Sequence, residues 1–301
     1  MELRQLQALI AIADHGSFSA AAAALHTVQS NVSSHIARLE KELGVQLVDR
    51  HSGRLTEEGA AVLERARRVS SEIEAAVADV AALRHEIAGT ARIGMIGTTA
   101  RWLAPLLLER MAIAHPKVRL VIGDGTSATL EPLLAAGSLD AAVVNLPQTS
   151  PDLMERPLFD EDLVLVVPAG HALADQDRVP LERLDGLPLL LPAPGTNFRK
   201  EIEQACAAAG VSLTPLAELD GVRLIASLTT RGYGPAILPA TGATEGRGIH
   251  RIQVEGLPRR TVGLVLRRRG RPSAPARAML ELLESVVSTN LDPDRGLHSP
   301  T

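Results

Sequence analysis

A heptad pattern of apolar residues constrains the fold of this chain more than any other feature of its sequence. The apolar residues follow one another at alternating spacings of four and three: Val62, Ala66, Val69, Ile73, Ala76, Val80, Leu83 and Ile87. A repeat of about 3.5 residues predicts a long helix whose apolar seam packs against another helix. We expect Thr56 to cap the start of this helix and Gly89 to end it.

The pattern leaves two interpretations open. One is a single amphipathic helix that packs on its own domain. The other, favoured by the small residues Ala66 and Ala76, is close pairing with another helix. The pairing interpretation gives residues 59–89 these contact residues: Val62, Val69, Ile73, Val80, Leu83 and Ile87.

Residues 1–58 have the pattern of three short helices. Apolar residues recur at helical spacing up to Gly16, which ends the first helix. Ser17 is a suitable N-cap for a second helix, from Phe18 to Leu25, and a third runs from Gln29 to Leu43. Short helices joined by a brief turn predict a helix-turn-helix. The alternative is a three-helix bundle with a solvated polar face.

The outer face of the third helix carries short hydrogen-bonding side chains, which suit base edges and phosphates in a major groove. The next segment reads as a small β-wing with Arg50 and Arg54 near its tip, where they can reach phosphates. The predicted DNA contacts are Ser17, Gln29, Ser30, Asn31, Ser33, Ser34, His35, Arg38, Arg50 and Arg54.

Composition excludes some other ways of binding nucleic acid. The chain has 35 acidic and 31 basic residues, a net charge of −4, and only 2% aromatic residues. A protein that coats nucleic acid should be basic, and one that stacks bases needs aromatic rings. A helix-turn-helix needs only a few well-placed side chains, so this composition does not oppose it.

From Thr90 onward, strand and helix patterns alternate. Predicted strands over Ala91–Ile96, Val118–Gly123 and Asp140–Asn145 are separated by helices over Thr99–His115 and Ser127–Ala136. A similar alternation follows from residue 163 to residue 238. This order predicts an α/β fold with mostly parallel sheets, whose ligands bind beyond the carboxyl ends of the strands.

The loops at those strand ends carry hydroxyl and amide side chains next to helix starts, which suits a small anionic or polar metabolite. The alternative for each residue is that it only caps a helix. The effector-binding residues predicted from these loops are Thr98, Thr99, Thr126, Ser127, Asn145, Thr196, Asn197 and Phe198.

The motifs of the first 60 residues resemble the winged helix-turn-helix of LysR-type transcriptional regulators. The resemblance rests on the segments Ser17 to His26, Arg38-Leu39-Glu40 and Leu55-Thr56-Glu57. Ala20, Ser34 and Ala37 stand where the family often has arginine. Fewer cations neutralise fewer phosphates, so we expect modest non-specific affinity for DNA.

Segments farther along are similar to the LysR effector domain, among them Gly137 to Ala142 and Thr230 to Gly234. The resemblance implies two Rossmann-like lobes, as in type 2 periplasmic binding proteins, within residues 90–290. Lobe I would comprise 90–162 and 268–290, and lobe II 163–267. Tyr233 departs from the family, which commonly has Leu at this position; it is a candidate ligand contact, with simple packing as the alternative. We expect the tail, 291–301, to be disordered.

The resemblance implies that residues 59–89 form a linker and dimerisation helix. It also implies a regulator that binds double-stranded operator DNA as a homodimer or homotetramer and responds to a small effector, with RNA polymerase as a further partner of an activator. No cofactor, metal or catalytic motif is present in the sequence. Peroxide-sensing members use two cysteines, whereas this chain has only Cys206. The residues from Met1 to Ala13 do not read as a signal peptide, so we expect a cytoplasmic protein. The rival interpretation is a solute-binding or enzymatic α/β protein with a helical oligomerisation module.

Overall fold

The computed structural model describes residues 1–50, 52–84, 86–148, 150–243 and 248–301. A helical head is followed by a two-lobed α/β body. The head and its connector contain four helices: α1 (Leu3–His15), α2 (Phe18–Ala24), α3 (Gln29–Leu43) and α4 (Glu57–Ala82).

The three short helices begin and end within one residue of the predicted positions. Gly16 and Gly44 close α1 and α3 in the left-handed conformation, each with φ of 74°. Ser17 caps α2 by accepting a hydrogen bond from the Ala20 N–H. The buried side chains of the head form one core, to which these residues contribute: Leu9, Ile12, Ala21, Val32, Ile36, Leu39, Leu47 and Val48.

The predicted wing follows α3 as a short hairpin. A single antiparallel bridge joins Val48 to Leu55, and the Asp49 N–H donates to the Arg54 carbonyl oxygen at 2.8 Å. His51 lies outside the described residues. The wing packs closely on the start of α4, because a Cβ atom at Gly59 would lie 2.0 Å from the Leu47 carbonyl oxygen.

The long helix is shorter than its heptad pattern predicts. It begins after Thr56, whose hydroxyl accepts from the Gly59 N–H, but it ends at Ala82 instead of Gly89. Gly89 already pairs with Val118 in a sheet, so the preceding residues must leave the helix to enter a strand. Ile87 therefore lies outside the helix, and the predicted linker boundary is wrong at that end. Neither α4 nor any other helix within the described ranges has an apolar stretch long enough to span a membrane.

Lobe I is built on a six-stranded sheet of order β12-β4-β11-β3-β1-β2. Its elements are β1 (Gly89–Ile96), α5 (Gly97–Ala114), β2 (Val118–Gly125), α6 (Ser127–Ala135), β3 (Ala141–Asn145), β4 (Leu153–Glu161), β11 (Arg260–Arg267), α9 (Ala274–Thr289) and β12 (Leu297–His298). Fully buried residues of the central strands, such as Ile93 and Val143, pack against Leu103 of α5 and Leu283 of α9.

Lobe II contains a four-stranded sheet of order β6-β10-β5-β9 and the pair β7-β8. Its elements are β5 (Leu163–Pro168), β6 (Arg178–Pro180), β7 (Pro188–Pro192), α7 (Asn197–Ala208), β8 (Thr214–Leu219), α8 (Val222–Thr230), β9 (Ala236–Pro239) and β10 (Ile249–Glu255). The Leu190 N–H donates to the Pro235 carbonyl oxygen at 2.8 Å and links β7 to the larger sheet.

Three predictions about the body are corrected by this topology. The sheets are mixed, because β11 runs antiparallel to both β3 and β4, and β5 runs antiparallel to β9 and β10. The chain returns to lobe I before Arg260, not at residue 268, since β11 lies inside the lobe I sheet. Hydrophobicity patterns show strands but not which sheet they join, so the boundary was misplaced.

The third correction concerns the carboxyl-terminal tail. Residues 291–301 are ordered, because β12 pairs with β4 and the Thr301 hydroxyl donates to Asp160 Oδ2 at 3.1 Å. His298 Nε2 also lies 2.9 Å from Asp162 Oδ2. Polar composition suggested disorder, but edge-strand pairing and buried partners order the segment.

Candidate DNA interface and effector site

The outer face of α3 is accessible along its length. Gln29, Ser30, Asn31, Ser34 and Arg38 are exposed, and Ser33 and His35 are half-buried. The opposite face carries the buried residues Val32, Ile36 and Leu39. Because the apolar face packs into the head, the polar face is presented outward on a rigid support.

Hydrogen bonds to α2 and to the turn position the first turn of α3. The Ser19 hydroxyl donates to Gln29 Oε1 at 3.0 Å, and Asn31 Nδ2 donates to the Thr27 hydroxyl at 2.9 Å. His35 Nδ1 is buried and has no hydrogen-bond partner in the described part of the chain. The first-turn side chains are thus held in place before any DNA is bound.

Glu40 positions the wing, a role that the sequence did not reveal. Its Oε1 accepts from the N–H groups of Leu47 and Val48 at 2.9 and 3.3 Å, and its Oε2 pairs with Arg50 at 3.3 Å. Arg50 and Arg54 are both exposed to solvent. A carboxylate late on α3 therefore ties the wing to the helix that carries the predicted base contacts.

The apolar seam of α4 divides into two parts. Val62 and Ala66 pack into the core of the head. Farther along, the seam is open to solvent: Val69 is 43% exposed, Ile73 42%, Val80 57% and Leu83 82%. Val77, beside the seam, is 68% exposed. We name the exposed residues Val69, Ile73, Val77, Val80 and Leu83 the α4 stripe.

Another side of α4 docks on lobe I. Asp79 Oδ1 accepts from the Ala274 N–H at 2.8 Å, and Glu74 pairs with Arg92 at 3.0 Å. A cavity of about 570 Å³ lies between α4 and lobe I, next to Asp140. Burial raises the pKa of Asp140, although the Arg92 N–H and guanidinium act in the opposite direction. These contacts attach lobe I to the helix that carries the head.

Two of the predicted effector residues are occupied as helix caps. The Thr126 hydroxyl accepts from the Thr129 N–H at 3.3 Å, and the Thr129 hydroxyl accepts in turn from the Thr126 N–H. The Thr196 hydroxyl accepts from the Arg199 N–H at 3.3 Å and donates to the Ala193 carbonyl oxygen at 2.9 Å. The helix-capping interpretation therefore accounts for both Thr126 and Thr196.

Other predicted residues retain free hydrogen-bonding groups. Thr98 and Thr99 lie in the first turn of α5 and are buried. Thr99 Oγ1 and Asn145 Oδ1 are buried without a hydrogen-bond partner among the residues described. The start of α5 packs near α8 and residues 240–242 of lobe II. Ser127 is half-buried at the start of α6.

The predicted effector residues of lobe II do not all lie together. Phe198 is buried, and the guanidinium carbon of Arg260 lies 5.1 Å from its ring centroid. Asn197 precedes it at the start of α7. Tyr233 is 66% exposed and follows the carboxyl end of α8, whereas the amino end of α8 faces α5. The structure therefore does not group Tyr233 with the other candidates.

A buried polar cluster joins the lobes where the chain crosses between them. Glu161 is fully buried; it accepts from the Thr241 hydroxyl at 2.8 Å and from Arg260 Nη2 at 2.5 Å. Burial raises the pKa of nearby Glu201; Glu161 adds to this rise, and Arg260 opposes it. No sequence motif marked these residues, which lie far apart in the chain. We name Glu161, Thr241, Arg260 and Glu201 the hinge cluster.

Family models match the two parts of the molecule. Residues 3–60 match the bacterial regulatory helix-turn-helix proteins of the lysR family, and residues 84–288 match the LysR substrate binding domain. The second match covers more than half of the chain. The chain belongs to the LysR family of transcriptional regulators.

Individual relatives cover nearly the whole LysR-type chain. A "Probable hydrogen peroxide-inducible genes activator" of Mycobacterium leprae is 32% identical over 94% of each chain. A full-length OxyR variant from Pseudomonas aeruginosa has a TM-score of 0.77 at 26% identity, covering 100% of this chain and 99% of that one. Full-length CbnR complexed with its target DNA has a TM-score of 0.70 at 25% identity, covering 96% and 99%.

These findings confirm the predicted class and fold. The protein is a LysR-type DNA-binding transcriptional regulator with a carboxyl-terminal effector-binding domain. The helix-turn-helix match decides against a plain solute-binding protein with an added oligomerisation module.

Proposed function

We propose that this regulator binds its operator as a dimer, with α3 in the major groove and the wing on the phosphate backbone. The accessible polar face of α3 is the observation that carries this proposal. Gln29, Asn31, Ser33, Ser34 and His35 lie nearest the bases, with Ser17 and Ser30 at the groove edge. Arg38, Arg50 and Arg54 contact phosphates, which position the head without specifying sequence.

The α4 stripe supports dimerisation. A row of apolar side chains that are 42 to 82% exposed in one chain is costly in water and matches the heptad seam of a paired helix. A dimer presents two heads to two half-sites, separated by one or more turns of DNA. A homotetramer, and contact with RNA polymerase if the protein activates transcription, extend this proposal. The site of action would be the cytoplasm.

The effector binds between the lobes, near the start of α5. Thr98, Thr99 and Asn145 support this placement, because two of them carry buried groups that lack protein partners in the described ranges. Ser127 at the start of α6 and Phe198 at the start of α7 complete the proposed site. Lobe displacement then reaches the heads through the docking of α4 on lobe I. A ligand produces this change only if it binds one arrangement better than the other.

Control by an intrachain disulfide is incompatible with this chain. Several relatives are named for hydrogen peroxide, but Cys206 is the single cysteine of the sequence. It is 1% exposed on the buried side of α7, and burial raises the pKa of its thiol. A buried, protonated thiol is a poor nucleophile. We therefore propose a non-covalent effector.

DNA binding can be tested with variants that separate base contacts from phosphate contacts. Genomic fragments retained by the purified protein at low salt supply the operator, and footprinting should show protection over several helical turns. Asn31→Ala should weaken specific binding by about tenfold or more, since a good base contact contributes about 1–3 kcal/mol of discrimination. It should leave binding to random DNA nearly unchanged.

Arg54→Ala is the matched comparison, because it should weaken specific and random DNA alike and reduce the salt dependence. Lys200→Ala, exposed on α7 of lobe II, is the control and should change neither. Equal affinity of the wild type for operator and random DNA would contradict the proposed function.

A further inference from the structure

Arg67, on α4, is bonded to both the DNA-binding head and lobe I. Its Nη1 donates to the Ser138 hydroxyl at 2.9 Å, and its Nη2 pairs with Oδ1 of Asp14 on α1. Its Nε is buried and has no hydrogen-bond partner in the described ranges. Within those ranges, the guanidinium is therefore held by side chains from two other parts of the molecule.

The lobe I partner, Ser138, belongs to the turn that closes α6. The Ser138 N–H donates to the Leu133 carbonyl oxygen of this helix at 2.9 Å. The turn lies directly on α4, because a Cβ atom at Gly137 would come within 3.3 Å of Arg68 Cγ and 3.4 Å of Arg68 Cα. Gly137 has a φ of +75°, so glycine suits both the turn and the close approach. The backbone contact fixes the Ser138 hydroxyl beside Arg67.

The head partner, Asp14, lies near the carboxyl end of α1. This helix packs on the first part of α4 in the core of the head, where Leu9 and Ala66 are buried. The side chains of Arg67 and Asp14 are 25% and 44% exposed, so their pair adds little to the stability of the fold. A planar guanidinium nevertheless fixes the direction of both its contacts. Its role is therefore orientation of the head more than stability.

The other polar contacts between α4 and lobe I lie farther from the head. Glu74 pairs with Arg92, and Asp79 accepts from the Ala274 N–H. Arg67 precedes both along the helix and also reaches α1. It is therefore the residue at which the head, α4 and lobe I meet.

We propose that Arg67 is a positioning residue that holds each head at one angle to its own lobe I and so restricts the half-site spacing that the dimer accepts. The inference rests on the dimeric DNA binding proposed above. Pairing of α4 joins the two bodies, and the Arg67 contacts fix each head on its body. The heads then reach two half-sites at one separation and one rotation about the DNA axis. Because α6 begins at the proposed effector residue Ser127, an effector that displaces this helix also displaces its Ser138 end.

Half-site spacing gives a readout that a merely structural role would not change. The full-length protein is titrated with its operator, with the same operator carrying two extra base pairs between the half-sites, and with a single half-site. Two base pairs rotate one half-site by about 70° relative to the other. We expect the wild type to prefer the natural spacing. Arg67→Gln should lower that preference about three- to fivefold, as for the loss of one partly exposed ion pair. Its binding to the single half-site should stay unchanged.

Further variants separate the Arg67 contacts from the charge of the side chain. Ser138→Ala removes only the acceptor in lobe I and should lower the spacing preference in the same direction. Combined with Arg67→Gln it should add nothing, because both changes remove the same contact. Arg67→Lys keeps the charge but loses the planar fork, so it should resemble Arg67→Gln. Arg65→Gln, exposed on the same helix, is the matched control and should behave as the wild type.

Three results overturn the proposal. The first is a wild type that binds both spacings equally, and the second is an Arg67→Gln variant that keeps the wild-type preference. The third is a loss of single half-site binding as large as the loss of operator binding, which would make Arg67 a DNA contact or a residue needed to fold the head. Failure of the proposed function is distinguishable, since the wild type would then bind operator and random DNA alike.

Discussion

The helices that open toward the lobe boundary use their threonines differently. In lobe II, Thr196 uses both hydrogen bonds of its hydroxyl on its own chain, at the start of α7. In lobe I, Thr99 lies in the first turn of α5, yet its hydroxyl bonds to nothing described in the structure. One hydroxyl stabilises the fold, whereas the other is available to a ligand.

This difference shows why residue type alone does not define a binding site. A hydroxyl at the N-cap position faces the orphan N–H groups of its helix and is consumed by them. Thr99, at the third helical position of α5, has no such partner among the described residues, and burial keeps water away. Thr99 therefore retains an unused hydrogen-bonding group, whereas Thr196 supplies structure.

The largest effect should come from the hinge cluster, which holds the two sides together. Glu161→Ala leaves the guanidinium of Arg260, which is 8% exposed, buried without its carboxylate. Breaking a buried pair in this way costs about 3–5 kcal/mol. Urea unfolding of the full-length protein should show the loss. Arg259→Ala removes a pair whose arginine is 47% exposed, and should cost no more than about 1 kcal/mol. Equal costs would show that the cluster does not stabilise the hinge.

The two threonines provide the direct test of the comparison. Thr196→Ala should destabilise by about 1 kcal/mol, since it removes an N-cap. Thr99→Val keeps the shape of the side chain and removes an unsatisfied hydroxyl, so stability should be unchanged or slightly higher. Thermal unfolding of both variants in the same buffer measures the contrast. A Thr99→Val loss as large as that of Thr196→Ala would mean that the Thr99 hydroxyl has a structural partner.

The smallest effect should come from Glu201, on the lobe II side. Its pKa is raised in the folded state, so folding favours the protonated carboxyl. Below the pKa of the unfolded chain, Glu201→Gln should leave stability unchanged. As pH rises from that value through the raised folded pKa, the wild type loses stability, so the variant becomes more stable relative to it. Unfolding midpoints between about pH 4 and pH 8 measure this. A gain that is the same at every pH contradicts the protonation argument.

Much of the fold was predictable because its signals are local. The bounds of α3, the caps at Ser17 and Thr56, and the closing glycines Gly16 and Gly44 depend on a few adjacent residues. Strand positions in the body were also readable from apolar runs. The end of α4, the return to lobe I before Arg260 and the ordered tail were not, because each depends on pairing with a distant strand.

The candidate sites divide in the same way. The α3 face was predictable, since one helix displays all of it at a regular period. For the effector site, the sequence predicted helix starts but not which hydroxyls were already bonded. It marked neither the Glu161–Arg260 pair nor the Asp14–Arg67 pair, whose partners lie 99 and 53 residues apart.

Short-range patterns were enough to predict the helix-turn-helix, the heptad connector and the α/β class, because periodicity and capping act over one or two turns of chain. The folded arrangement was needed to show which polar groups are satisfied, which apolar seam residues stay exposed, and where the lobes touch. Those outcomes depend on burial and on partners brought from far along the chain. No short-range pattern records that information.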